Sequence, residues 1–138
     1  MHAETHISPH VKAVAPARRW ARERLVEAGV DGAALDVLVL LVSETVTNAV
    51  AHADPPVHLC VDVDGDRTRV EVTDGARTEP ILHHPPATAL GGRGVMFVDE
   101  LSTRWGIEPA EGEAAKRVWF ELEHGDVDER WPSASAHA

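Results

Sequence analysis

Three short segments hold residue types whose spacing suits chemistry. In Ser43-Glu44-Thr45-Val46-Thr47-Asn48-Ala49-Val50-Ala51-His52, four-residue steps set Glu44, Asn48 and His52 one turn apart on one face of a helix. A carboxylate there can accept a proton from a nucleophile, and a side-chain amide oxygen is a hard donor suited to Mg²⁺. The same spacing also describes an ordinary solvated helix face. In Val70-Glu71-Val72-Thr73-Asp74-Gly75, an acidic residue ends a strand-like run. Asp74 can accept a hydrogen bond from an exocyclic amine such as that of adenine, or it can simply start a turn, since Asp-Gly is a common turn dipeptide. In Gly91-Gly92-Arg93-Gly94, closely spaced glycines open a predicted helix. Backbone amides can approach an anion there, the helix N-terminus favours negative charge, and Arg93 can pair with a phosphate. The alternative is a hinge and a helix start. The segment is not a Walker A loop, because no Gly-Lys-Ser/Thr follows and no strand immediately precedes it.

The elements that must position these segments follow from periodicity. A helix is predicted from Val14 to Ala28, with Ala17, Trp20, Ala21, Leu25 and Ala28 at helical spacing and Gly29 as its C-terminal stop. A second helix is predicted from about Ala33 to Ala53, starting after Asp31 and stopped by Asp54-Pro55-Pro56. Leu35, Leu38, Val42, Val46, Ala49 and Ala53 form its core-facing seam. Ser43, Glu44, Thr47, Asn48 and His52 form a polar stripe on a helix that is nearly apolar elsewhere. The period then changes to two. Val57, Leu59, Val61 and Val63 alternate with polar residues, Gly65-Asp66 turns the chain, and Thr68, Val70 and Val72 alternate back.

A long segment from Gly75 to Gly92, with three prolines, has no period and reads as a lid-like loop. A short helix at Val95 to Leu101 and strands at Thr103 to Glu108 and Lys116 to Glu123 complete the order, with Trp105 and Trp119 assigned to the core. Hairpins after helices imply an α+β two-layer sandwich with helices on one face of a mixed, mainly antiparallel sheet. The domain is placed at residues 13–124, between a flexible N-terminus (1–12) and a flexible tail (125–138). His2, His6 and His10 are spaced for one helix face, but Pro9 interrupts the helix that metal binding by that face requires.

Length and charge narrow the function. A chain of 138 residues suits one domain, able to bury about two-thirds of its unfolded surface without disulfide or metal. With 13 Lys and Arg against 23 Asp and Glu, the formal charge of −10 argues against a surface for nucleic acid or anionic lipid. The single Cys60 leaves no internal disulfide and reads as an inert packer. The longest apolar run, Val37 to Val42, is too short to span a bilayer, and the polar N-terminus has no signal-peptide core. A cytoplasmic protein is expected, with no membrane and no direct nucleic-acid partner.

Taken in order, the three segments resemble the Bergerat-fold ATPase superfamily of histidine kinases, gyrase-type ATPases and anti-sigma serine kinases. The resemblance is strongest to the small single-domain anti-sigma-factor-like serine/threonine protein kinases and covers about Val14 to Glu123. Ser43-Glu44-x-x-Thr47-Asn48-Ala49-x-x-His52 is similar to the N box, Val70 to Pro80 with Asp74 to the first glycine box, and Gly91-Gly92-Arg93-Gly94-Val95 to the second. Ala17-Arg18-Arg19, Arg104-Trp105-Gly106 and Lys116-x-Val118-Trp119-Phe120 resemble the first helix and the closing strands. Ala76 and Thr78 stand where the broader superfamily has further glycines, and Ala115 where a glycine often precedes the closing lysine.

The resemblance implies ATP and Mg²⁺ as cofactors. Glu44 would be the general base, Asn48 the metal ligand and Asp74 the acceptor for the adenine amine. Gly92, Arg93, Gly94 and Val95 would lie at the phosphates under a lid from Glu79 to Leu90, with His52 and Lys116 completing the nucleotide site. It further implies phosphorylation of an anti-anti-sigma-type antagonist, with a sigma factor and a second copy of the chain as further candidate partners. A non-catalytic module that sequesters a sigma factor is the alternative. A detached histidine-kinase catalytic domain is disfavoured, since no segment supplies a phosphoacceptor His on a dimerising helix.

Overall fold

A computed structural model describes residues 1–52, 56–75, 98–110 and 116–130. The described elements are β1 (His2–Ile7), a 3₁₀ turn (Val11–Ala13), α1 (Val14–Glu27), α2 (Gly32–His52), β2 (Val57–Asp64), β3 (Arg67–Asp74), a helical turn over 98–101, β4 (Arg104–Pro109), β5 (Lys116–Glu123) and α3 (His124–Arg130). The strands form one sheet in the order β1-β2-β3-β5-β4, and every neighbouring pair is antiparallel. The helices pack on one face, giving the α+β sandwich that the sequence predicts, with no parallel pair among the described strands.

Local chemistry explains the joints. Gly29 takes a φ of 91° after α1; its amide bonds Val26 O at 3.0 Å and that of Val30 bonds Leu25 O at 2.9 Å, the paired bonds of a Schellman stop. Gly65, with φ at 60°, makes the tight β2–β3 turn that a β-carbon would strain. The seam of α2 is buried as its spacing requires, from Leu35 through Leu38, Val42 and Val46 to Ala49; Ala53, its expected end, lies outside the described residues. The seam packs on the inward residues of the sheet, Leu59, Val61, Val70, Val72, Phe120 and Leu122 among them. Over Gly32–Ala51 this helix has a mean hydropathy of 1.6 and the length of a membrane span, but half of that window is buried inside the fold, as in a core helix. Phe120 is fully enclosed, so Phe120→Ala should cost about 3–5 kcal/mol in urea unfolding.

Two expectations at the chain ends are corrected. Residues 2–7 are not irregular: they form β1 on the outer edge of β2. Their inward positions are Ala3, Thr5 and Ile7, of which only Ile7 is strongly apolar, so ladder hydrogen bonds rather than a visible hydrophobic period make the strand. Residues 125–130, read as the start of the flexible tail, belong to α3 (His124–Arg130). A single apolar residue of this helix, Val127, is buried against the core. Polar contacts hold the rest: His124 Nε2 lies 2.7 Å from Thr68 Oγ1, and Thr103 Oγ1 donates to Asp126 at 2.8 Å.

Trp119 is the third correction. It lies on the outer, helix-free face, on the same strand parity as Arg117 and Glu121, with the Arg69 guanidinium 4.4 Å from its ring centroid. Gly106 sits opposite, where a β-carbon would come within 2.8 Å of the indole Nε1. Charges tile the rest of this face. Arg69 and Arg104 both bond Glu121 at 2.9 Å, and these guanidinium bonds, that of Arg104 first, hold Glu121 below the usual carboxylate range. Trp105 does pack against the core, and its Nε1 donates to Asp99 at 3.0 Å.

Candidate functional site

The polar stripe of α2 exists because the helix buries its other side. Glu44 and Asn48 stand one turn apart, both half-buried. Neither makes a hydrogen bond or ion pair with another described side chain, so a carboxylate and an amide oxygen are available together. Their neighbours are tied to the helix itself. Thr47 Oγ1 donates to Ser43 O at 2.6 Å, and the buried Thr45 Oγ1 donates to Leu41 O at 2.7 Å. These back-bonds satisfy the two threonine hydroxyls locally, whereas Glu44 and Asn48 keep unused capacity.

The strand contribution comes from parity. Thr68, Val70, Val72 and Asp74 all face inward on β3, which puts the Asp74 carboxylate at the end of a buried row with 2% exposure. In the β3–β5 ladder Asp74 is the register partner of Lys116, and Lys116 Nζ lies 3.5 Å from Asp74 Oδ2. The pair is longer than a charge-assisted hydrogen bond of about 2.8 Å. Lys116 retains 16% exposure, enough to offset the buried charge while keeping contact with the site's edge. α2 packs against both β3 and β5, so the helix stripe and the Asp74–Lys116 pair belong to the same helix–sheet layer.

Two of the expected residues, Asp74 and Lys116, are thus brought into contact, and two more, Glu44 and Asn48, share one face of α2. His52 is the last residue of α2, and its side chain lies outside the described ones. Gly92, Arg93, Gly94 and Val95, with the loop from Glu79 to Leu90, also lie outside the described residues. The end of the helix expected after the glycines is in place: Val98 is buried, and the Ser102 hydroxyl donates to the Val98 carbonyl. The Asp74–Lys116 contact is what sequence reasoning missed. Its only signal is that both residues share the inward parity of their strands, and those strands are far apart in the chain. A cleft of about 590 Å³ between β1 and α1, lined by His6, His10, Pro16 and Trp20 among others, contains none of these groups.

Residues 7–120 match the family described as "Histidine kinase-like ATPase domain". No curated protein matches the chain. Among solved structures, it is similar to the histidine kinase domain of the blue-light activated histidine kinase from Erythrobacter litoralis EL346. The TM-score is 0.55 at 19% identity, over 92% of this chain and 69% of that one, a likeness of fold. A buried acidic strand end, a helix bearing a carboxylate and an amide with unused capacity, and a match over most of the length converge: the chain belongs to the histidine kinase-like ATPase domain family, an ATP-binding fold.

Proposed function

We propose that the chain is a Mg²⁺-dependent serine/threonine protein kinase of the anti-sigma-factor-like type, acting in the cytoplasm on an anti-anti-sigma-type antagonist. The observation that carries this reading is the pair on α2: Glu44 and Asn48, half-buried, adjacent and engaged by no other described side chain. The donor chemistry fits Mg²⁺, since the Asn48 amide offers a hard oxygen that is not spent on another described side chain, and Glu44 is left as a base. Bound there, the ion would supply charge neutralisation on the triphosphate.

Glu44 then acts on the partner's hydroxyl. Its carboxylate takes the proton as the hydroxyl oxygen bonds to the γ-phosphorus and the bond from that phosphorus to the bridging oxygen breaks. ADP leaves with the electron pair, and the proton on Glu44 passes to solvent. Asp74 accepts from the adenine amine, while Lys116 balances its charge. Arg93 and the amides of Gly92, Gly94 and Val95 would hold the phosphates, and His52 would border them.

The test is transfer from γ-labelled ATP with Mg²⁺ to antagonist-type domains encoded in the same genome. Label on a serine or threonine of one of them is the expected result. Nucleotide-dependent capture of a sigma factor with no label transferred would overturn the kinase reading in favour of a sequestering module.

A further inference from the structure

The outer face of the sheet carries a second cluster of reactive groups, on the β1–β2 edge. Strand alternation brings His2 opposite Asp62 and Glu4 opposite Cys60, all four on the helix-free face. The His2 ring lies between two carboxylates, with Nε2 3.0 Å from Glu4 Oε2 and Nδ1 2.5 Å from Asp62 Oδ1. Cys60 Sγ is 3.7 Å from His2 Nδ1, 4.0 Å from His2 Nε2 and 3.5 Å from Asp62 Oδ2. One donor atom each from His2, Glu4 and Cys60 falls within 4.8 Å of the others. Together with His58 and Glu71 these residues border a basin of about 390 Å³.

We propose that His2 Nε2, the Glu4 carboxylate and Cys60 Sγ form a binding site for a divalent transition metal of the zinc class, with water as the fourth ligand and Asp62 orienting His2 through its Nδ1–H. The distances suit such a site. A tetrahedral ion with bonds of about 2.1 Å to nitrogen and oxygen and about 2.3 Å to sulfur sets donor–donor edges of about 3.4–3.6 Å. The observed 3.0 and 4.0 Å bracket that value, and with all three donors within 4.8 Å of one another, movements of up to about an ångström, mainly in the exposed His2 and Glu4 side chains, close the difference. The outer shell is already built, because a carboxylate on the far nitrogen of a ligating histidine fixes its tautomer and orientation.

The field of the site points the same way. The carboxylates of Asp62, Glu71 and Glu4 border the same basin as the Cys60 sulfur, with Asp62 Oδ2 3.5 Å from it. The nearby arginines pair with carboxylates outside the donor set: Arg69 with Glu71 and Glu121, Arg117 with Glu108 and Glu71. Among the described residues no arginine pairs with Asp62 or Glu4, whose carboxylates face His2 and, for Glu4, also His58, beside a soft donor. A divalent cation offsets the charge of these carboxylates and takes the sulfur as a thiolate ligand, releasing its proton. The His2, His6 and His10 spacing has no part in it as a helix face. In the strand, His6 turns instead to His58, with ring centroids 4.9 Å apart. A metal at His2, Glu4 and Cys60 would fasten β1 to β2 and stabilise the fold in proportion to the logarithm of its concentration over Kd.

The untagged full chain, free of nucleotide, should bind one equivalent of Co²⁺ with a sulfur-to-cobalt charge-transfer band. Zn²⁺ should displace the Co²⁺, and excess Mg²⁺ should not. Cys60→Ser should abolish the band and weaken Zn²⁺ binding at least about 100-fold, His2→Ala should do likewise, and Asp62→Asn should cost about 10- to 100-fold. His6→Ala with His10→Ala should change nothing, and circular dichroism checks that each variant is folded. Absence of the thiolate band, equal Zn²⁺ affinity in wild type and Cys60→Ser, or dependence on His6 and His10 instead of His2 would each overturn the site. None of these outcomes depends on the ATP site.

Discussion

Glu44→Gln should leave ATP affinity within about two-fold of wild type and slow phosphotransfer by at least about 10²-fold. Glutamine keeps the size and most of the hydrogen-bonding shape of the side chain but cannot accept the proton from an attacking hydroxyl. The expectation is sharp because of where Glu44 sits. It is half-buried on α2 and bonded to no other described side chain, so the substitution severs no contact among them and strands no partner. Stability should therefore stay within about 0.5 kcal/mol, a surface-like effect. Asn48→Ala serves as the counterpart: it should weaken Mg-ATP binding while leaving nucleotide binding without Mg²⁺ less affected. Calorimetry for binding and single-turnover transfer for chemistry separate the two residues. Unchanged transfer in Glu44→Gln would send the proton elsewhere and remove the general base from the proposal.

How much of this was legible in the sequence depends on distance along the chain. The β2–β3 hairpin reads directly, since Val57, Leu59, Val61 and Val63 alternate with polar residues and Gly65 marks the turn. The α2 seam reads as well, because one helix period settles which residues are buried. β1 does not, as small inward residues give no pattern until β2 offers an edge to pair with. Trp119 was decided by parity rather than by its aromatic nature. Lys116, Val118, Phe120 and Leu122 share one face of β5, which sends Trp119 to the other, and that signal was present in the sequence. The Asp74–Lys116 contact was not, because β3 pairs with β5 while β4 takes the edge, a long-range order that no local period encodes.

That contact makes Asp74→Ala the variant with the widest expected consequences. Removing the carboxylate leaves the Lys116 ammonium, 16% exposed, without its ion-pair partner. The cost should be about 3 kcal/mol, the low end for breaking a buried pair, because Lys116 keeps some access to water. ATP affinity should fall about 10- to 150-fold, the worth of a hydrogen bond to a charged acceptor. Stability and recognition can be told apart by removing the stranded charge. Asp74→Ala with Lys116→Met should recover much of the lost stability in urea unfolding while ATP binding remains weak. Base selectivity gives a reading independent of folding. The adenine amine donates where guanine presents a carbonyl oxygen, so an acceptor at Asp74 attracts the first and repels the second. Wild type should prefer ATP to GTP, and both Asp74 variants should lose much of that preference. If the double variant binds ATP as tightly as wild type and discriminates equally well, then Asp74 is a structural partner of Lys116, and the base is read by another group.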